Sequence, residues 1–577
     1  MVRSVFLFCV LVLTITCNAS AQPKMLAYSA IPTDYINEHA PDIARSYDGL
    51  IFVAGDWDEG VANNIGFGTP ESPTGDWFRR VSENVRHLCE AGATESILDV
   101  HFSENGAWPS PNTLLSPEFT VKMAKHFSRL GQVAKESGFR GVAIDVEYPY
   151  KRYSLGHEIY TWDGYTAEDL LRAAENQGRA TMAALLDAYP EAVVLLLPGA
   201  FQSRPIGRYY MKGLLEVMAE RDAPGGLHLA YERSYCLYEG PVSQIALCRD
   251  GDLSVENLWK GNETVLRYWK KRCSVAPGVW PLHMVETGGP DYPKRPWKEE
   301  LAELRAQLQT LRTVAKKYVW SFSGAPIWCP ADLDVRTKYG IAPASFEGAA
   351  EVVREWLEIT TDKSAKTDPR AERLVDAVHA YDRGDLSAGD LCCVFGTPPA
   401  WYVAGPLGNP FTKPQFAAAR TFTTPIRLDL PLQGRDSVVR WFLFPNLAPI
   451  GSVSMTAIFD WRNTDDQSAF LVTQVVSDRT QKAWIHVGWD DGLQVWLGND
   501  CVLDRASYPP RGHGALYKDR FLFEDHAEVT LPAGTTRLGV VSINAGGSWV
   551  FNLRITDADG FPLEGVRFQL PDPDAEI

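Results

Sequence analysis

From residue 25 to about 360 a short strand-like run alternates with a helix-like pattern eight times, and this restricts the fold more than any other feature of the chain. The runs are Met25 to Ile31, Leu50 to Ala54, Ser96 to Phe102, Gly141 to Tyr148, Ala192 to Leu197, Gly226 to Glu232, Val279 to Glu286 and Tyr318 to Phe322. Between them, Trp77, Val81, Val85 and Leu88 share one helical face within Asp76 to Glu90, and further helices are expected over Glu118 to Lys135, Gly207 to Arg221, Val255 to Arg272 and Lys298 to Lys316. Thr166, with Asp169 three residues on, reads as the cap of a helix reaching about Ala188. Eight such units fit a (β/α)8 TIM barrel better than an open doubly wound sheet, because no Gly-x-Gly-x-x-Gly turn follows the first strand. No cofactor is expected.

The texture changes after the barrel. Residues 361–396 are charged and partly helical, as in Ala371 to Tyr381, and read as a linker. From 397 to 577 short alternating runs with turn signals, among them Ser437 to Phe444, Ser452 to Phe459, Ala469 to Val476 and Arg537 to Ile543, predict an antiparallel β-sandwich of the jelly-roll kind. Asp490-Asp491-Gly492 is a turn signal first and a ligand or calcium site second.

Residues 1–21 are set aside from the fold: Arg3 precedes an apolar run from Val5 to Leu13, and Ala19-Ser20-Ala21 offers a small-x-small cleavage site. They predict a secretory signal, and an exported product with the barrel over 22–360. No other run reaches the roughly 20 apolar residues of a membrane span. The net charge of −16, without basic clusters, argues against nucleic acid or anionic lipid as partner. Of ten cysteines, Cys9 and Cys17 leave with the signal. Cys236 and Cys248 could close the loop between them, while Cys89, Cys329 and Cys501 read as isolated buried thiols.

The run Gly141-Val142-Ala143-Ile144-Asp145-Val146-Glu147 carries acid to its end. Side chains alternate along a strand, so Gly141, Ala143, Asp145 and Glu147 share one face, and both carboxylates point into the barrel mouth. Asp56 and Asp58 follow the second run, Glu232 ends the sixth and Glu286 ends the seventh. Convergent carboxylates suit a glycosidase, which needs a protonated acid beside the leaving oxygen and an anionic group beneath the sugar. Any one of them could instead close an ion pair with Arg204, Arg208 or Arg233. Trp162, Trp320 and Trp328 supply faces for sugar rings near the same mouth. His101 and His283 have no second histidine at ligand spacing, so no metal is expected.

Phe139 to Pro149 resembles the fourth-strand signature of family-18 glycoside hydrolases, the chitinases and endo-N-acetylglucosaminidases. The resemblance implies that Glu147 is the general acid and that Asp145 holds a substrate N-acetyl group, which itself attacks the sugar. It further implies that Tyr231 and Glu232 match a Tyr-Asp pair on strand six and Trp320 a floor tryptophan on strand eight. Two further Asp of the signature are Arg140 and Ala143 here. The chain also resembles the retaining clan with its acid on strand four and its nucleophile on strand seven, which implies Glu147 and Glu286 in those roles; that clan commonly has Asn before its acid, where Val146 stands. Trp401 to Pro406 and Gly488 to Leu497 are similar to galactose-binding-like accessory modules of secreted carbohydrate enzymes.

The expectation is therefore an exported glycoside hydrolase with a carbohydrate substrate, Glu147 as proton donor, and Glu286 or a substrate N-acetyl group as nucleophile. Tyr231, Glu232, Trp320, Asp56 and Trp162 would bind the substrate. The alternative is a carbohydrate-binding barrel without catalysis.

Overall fold

The computed structural model describes residues 22–29, 31–52, 75–101, 111–145, 164–197, 205–235, 240–281, 297–322, 327–341, 348–362, 368–408, 426–434, 438–459, 465–506, 523, 525–547 and 549–572. The expected leader, Asp56, Asp58, Val146, Glu147, Trp162, Arg204, Cys236, His283 and Glu286 lie outside them.

Eight parallel strands close into a barrel: β1 (Lys24–Ser29), β2 (Gly49–Phe52), β3 (Ile97–His101), β4 (Gly141–Asp145), β5 (Val193–Leu197), β6 (Leu227–Tyr231), β7 (Ser274–Val279) and β8 (Tyr318–Phe322). Closure is made by β1 against β8, with Leu26 opposite Trp320 and Tyr28 opposite Phe322. Helices outside bury the second face of every strand, so the strands read as near-continuous apolar runs. Val142 and Ile144 of β4 join this outer core with Phe127, Leu130 and Leu185, while Ala143 joins the inner one. At the foot of β4 a Cβ on Gly141 would stand 1.9 Å from the Val193 carbonyl oxygen, so the chain needs glycine there.

Local capping accounts for several helix starts. Ser116, Thr166 and Asn262 each accept a hydrogen bond from the backbone N–H three residues on, at 3.2, 3.1 and 3.2 Å. Thr166 also donates to the Asp169 carboxylate, the partner its spacing predicted. The single helix expected over Val255 to Arg272 is two, Pro241–Leu258 and Glu263–Arg272, parted at Gly261 with φ +97° and restarted by the Asn262 cap. The first escapes a periodicity reading because it is buried nearly all round, Arg249 included.

β7 lies earlier than the run Val279 to Glu286 predicts. Pro277-Gly278 reads as a turn signal, yet Gly278 pairs with Trp320 inside the sheet. A Cβ there would come within 2.6 Å of Tyr235 and 2.8 Å of Trp320, so the glycine is what lets those rings fill the lumen.

Beyond β8 the helices Leu333–Lys338, Ala349–Thr361, Pro369–Arg383 and Ala388–Val394 lead into an antiparallel sandwich. One sheet holds Phe442–Pro445, Ala400–Gly408, Gln467–Ser477, Gly534–Asn544, Gly492–Leu497 and Asp500–Asp504, with Val566–Gln569 added on Gln467–Ser477. The other holds Ser452–Ser454, Val550–Thr556, Gln481–Trp489 and Asp525–Leu531. Trp401, Leu471, Ile485, Val540 and Leu553 meet between them. The expected strand Ser452 to Phe459 stops at Ser454, which caps a helical turn, Met455–Ile458. Asp491, at φ +66°, makes the expected turn and accepts from the backbone of Ala545 at 2.6 Å.

Linker and sandwich pack on the barrel. Val242, Ile245 and Val275 of the barrel share a buried cluster with Leu374, Val378, Leu391 and Phe395 of the linker and with Ile450 and Phe561 of the sandwich. Arg554 of the sandwich donates to Ser243 Oγ at 2.9 Å. Cys248 is a buried free thiol, and Cys236, its expected bridge partner, lies outside the described residues; Cys89 and Cys329 are also free, and Cys501 lies exposed on the edge strand Asp500–Asp504. Among the described residues no helix is long and apolar enough to cross a membrane.

Two histidines tie this fold to pH. Burial, with the Lys317 charge, lowers the His228 pKa to about 3, and burial, with Arg554 and His526, lowers that of His486 to about 4. Both rings are neutral in the folded chain, whereas the unfolded imidazole takes a proton near 6.5. Stability is therefore full above about pH 6.5 and falls as pH drops toward 3, by up to ~1.4 kcal/mol per pH unit for the fully buried ring. Urea midpoints from pH 7 to 4 should fall less steeply for His228→Asn than for the parent; parallel curves would mean that His228 titrates as it does in the unfolded chain.

Candidate active site

The inner face of β4 ends in Asp145, which is 1 % exposed. Alternation along the strand is as the sequence requires: Ala143 lies in the inner cluster, and Val142 and Ile144 lie outside. Tyr28, the last inward residue of β1, places its hydroxyl 3.0 Å from Asp145 Oδ2 and 3.1 Å from Asp99 Oδ2. Asp99 comes from β3, in register with Ala143, and is 0 % exposed. Burial first, then the Asp99 and Asp145 charges, raises the Tyr28 pKa well above its ordinary value. The phenol is thus a donor at any physiological pH.

An aromatic wall stands beside this trio. Trp320 is 0 % exposed, 6.0 Å from Tyr28 between ring centroids, and its indole N–H donates to the Ala276 carbonyl at 2.9 Å. Tyr235 lies edge-on to it at 5.1 Å, and Trp280 meets Phe322 at 4.8 Å. Tyr235, Trp280 and Phe322 are half-buried, and they come from the carboxyl ends of β6, β7 and β8. The turn that carries Tyr235 is pinned by Ser234, whose hydroxyl reaches the carbonyls of Tyr231 at 2.9 Å and Gly278 at 2.7 Å.

The sequence-derived candidates divide. Asp145 and Trp320 are brought together around Tyr28, with the Trp320 ring covered by Tyr235. Glu232 opens the short turn Glu232–Ser234 at the end of β6. Tyr231 points the other way, out of the barrel, packed with Val242, Ile245 and Val275. Arg140 sits at the foot of the barrel, 3.8 Å from Glu95, not at the mouth. Trp328 bonds Ser29 Oγ at 2.9 Å and lines a cavity of about 690 Å³ between the helices Thr33–Ser46 and Ala349–Thr361, on the outer side of the barrel. Of the acids taken to converge on the mouth, Glu147, Glu286 and Asp56 lie outside the described residues, as does Trp162. β7 ends at Val279, earlier than the expected run to Glu286.

Sequence reasoning missed Asp99, Tyr28, Tyr235, Trp280 and Phe322. Asp99 carried a signal: a charged residue in the middle of an apolar strand pattern is buried only with a partner. Tyr28 carried none, since an inward tyrosine on a first strand reads as core.

No protein-family model and no curated protein matches the chain. The fold is similar to a GH10 endoxylanase retrieved from a sugarcane soil metagenome, at 11% identity over 59% of this chain and 97% of that one, TM-score 0.32. It is also similar to a GH5-4 broad-specificity endoglucanase from an uncultured bacterium, at 12% identity over 58% and 86%, TM-score 0.36. A morphinone reductase in complex with tetrahydroNAD overlays at 13% identity over 55% and 87%, TM-score 0.27. At these identities and scores the likeness says nothing of chemistry.

Gly278 is the residue on which the wall depends. Gly278→Ala is expected to destabilise the protein by about 1–3 kcal/mol, because two packed rings must move. A lowered urea midpoint, with a changed near-ultraviolet circular dichroism signal from those rings, checks it.

Proposed function

We propose that the protein is an exported glycoside hydrolase acting on a sugar that carries an N-acetyl group. The observation that carries this reading is a buried carboxylate, Asp145, held at the carboxyl end of β4 by the Tyr28 hydroxyl at 3.0 Å and flanked by aromatic rings. Barrel enzymes do their chemistry at that end of the strands.

Two residues beyond Asp145, Glu147 is assigned as the general acid. It gives its proton to the glycosidic oxygen as the bond from that oxygen to the anomeric carbon breaks. The carbonyl oxygen of the substrate N-acetyl group forms the new bond to the anomeric carbon, and Asp145 accepts the amide N–H and offsets the positive charge of the cyclic intermediate. Water then opens the ring, with Glu147 taking back a proton. The two acids stand two residues apart in the sequence, Asp145 at the end of β4 and Glu147 beyond it. The half-buried faces of Trp280 and Phe322 suit stacking against a sugar ring.

Glu147→Gln is expected to lower kcat on N-acetylglucosaminides by about 10²–10⁴-fold, and a thiazoline mimic of the cyclised sugar should inhibit the parent. Equal turnover by parent and variant would remove Glu147 from the mechanism. Glycan binding by both, with turnover by neither, would establish a carbohydrate-binding barrel instead.

A further inference from the structure

We propose that Asp99 is the positioning carboxylate of the site: from β3 it supplies the charge that Ala143 does not supply on β4, and it acts on Asp145 through the Tyr28 hydroxyl. The inference rests on the hydrolase reading above and names the device that sets its β4 acid. Register places Asp99 directly opposite Ala143 on the neighbouring strand, and its carboxylate reaches the hydroxyl that Asp145 also reaches, at 3.1 and 3.0 Å. The three side chains come from β1, β3 and β4 and are all buried. An alanine in the strand that carries the acid therefore leaves room for a carboxylate from the strand beside it.

A phenol has one hydrogen, and here two carboxylate oxygens lie within its reach. A hydrogen bond given to Asp99 is withheld from Asp145, so the two carboxylates compete for one donor. Among the described residues, the charges that act on the Tyr28 hydroxyl are those of Asp99 and Asp145. The β8 residues packed on it, Trp320 and Phe322, are uncharged.

The test is a double-mutant cycle of Asp99→Asn and Tyr28→Phe in the full chain, read as the pH profile of kcat/KM on the N-acetylated substrate. Asparagine removes a like charge and can donate to the phenol oxygen, leaving the phenolic hydrogen to Asp145. Both changes favour the ionised Asp145 and should move the acid limb down by about one pH unit. In the Tyr28→Phe background that displacement should shrink, because the connecting hydroxyl is gone. A uniform fall in kcat/KM with the limb unmoved would reduce Asp99 to packing and overturn the proposal. Should Asp99→Asn not fold, Asp99→Ser, which is smaller and also uncharged, is read in the same way. If the parent turns over no glycan, the hydrolase reading fails by itself, and thermal midpoints of the four proteins between pH 4 and 8 decide the coupling. Non-additive midpoints that vary with pH uphold it, and additive ones overturn it.

Discussion

The lumen of the barrel must be filled, and most of this structure follows from how. Four large rings, Tyr28, Tyr318, Trp320 and Phe322, enter from two adjacent strands, β1 and β8. Ala143, Ala230, Ala276 and Gly278 on β4, β6 and β7 answer them with little or no side chain. Interiors pack at crystal-like density, so large residues on one side require small ones on the other. The lopsided filling puts the aromatic mass on the β8 side and leaves the β3–β4 side for short polar groups. Asp99 and Asp145 occupy that side.

Two carboxylates there would be untenable alone. An ion left unpaired in an apolar interior costs several kcal/mol even after relaxation, about as much as a whole domain's margin of stability. A hydrogen bond to a charged group returns about 1.5–3 kcal/mol, so the Tyr28 hydroxyl offsets part of that cost. Groups kept in such surroundings are where chemistry is sought, because the environment that makes them costly also sets them apart from ordinary surface acids. His228, at the opposite end of the lumen, shows the contrasting outcome. With Ser274 Oγ at 2.9 Å and the Gly225 carbonyl at 3.2 Å, it is satisfied as a neutral ring and has no part in the mouth.

The order of elements was legible because it depends on local rules. Tyr318 to Phe322 is the eighth strand as expected, and the Thr166 cap and the face change along β4 follow from hydrogen bonding and alternation alone. What escaped depends on packing between distant segments. Pro277-Gly278 spells a turn in isolation and a strand only beside Trp320. The helix Pro241–Leu258 shows no polar stripe because linker and sandwich cover the face that water would otherwise wet. The site divided in the same manner: Asp145 was visible as an acid at a strand end, whereas Asp99 became meaningful only when register set it against Ala143. Tyr231 was matched to the site by its place in the strand, yet its parity turns it outward, where it packs against the helix layer.

The same packing governs the sandwich. Arg249, on the helix Pro241–Leu258, has a side chain fully out of water; it reaches Glu256 at 2.9 Å and the linker residue Asp382 at 3.2 Å, and its guanidinium lies 4.5 Å from the centre of the Tyr381 ring. Lys316, just before β8, joins Asp252 at 3.4 Å and Asp382 at 3.3 Å. A buried network of this kind adds little net stability compared with apolar packing, yet losing one partner is costly because it strands the others. Its effect is to admit one docking arrangement, since a shifted linker helix would leave Arg249 and Lys316 short of Asp382. With Arg554 fixed on Ser243 at 2.9 Å and Phe561 in the shared apolar cluster, the sandwich is held to the β6–β7 side of the barrel. That side carries Tyr235 and Trp280 at its mouth. The sandwich therefore packs on the helix layer behind the aromatic wall, and the buried charges between them fix how it docks.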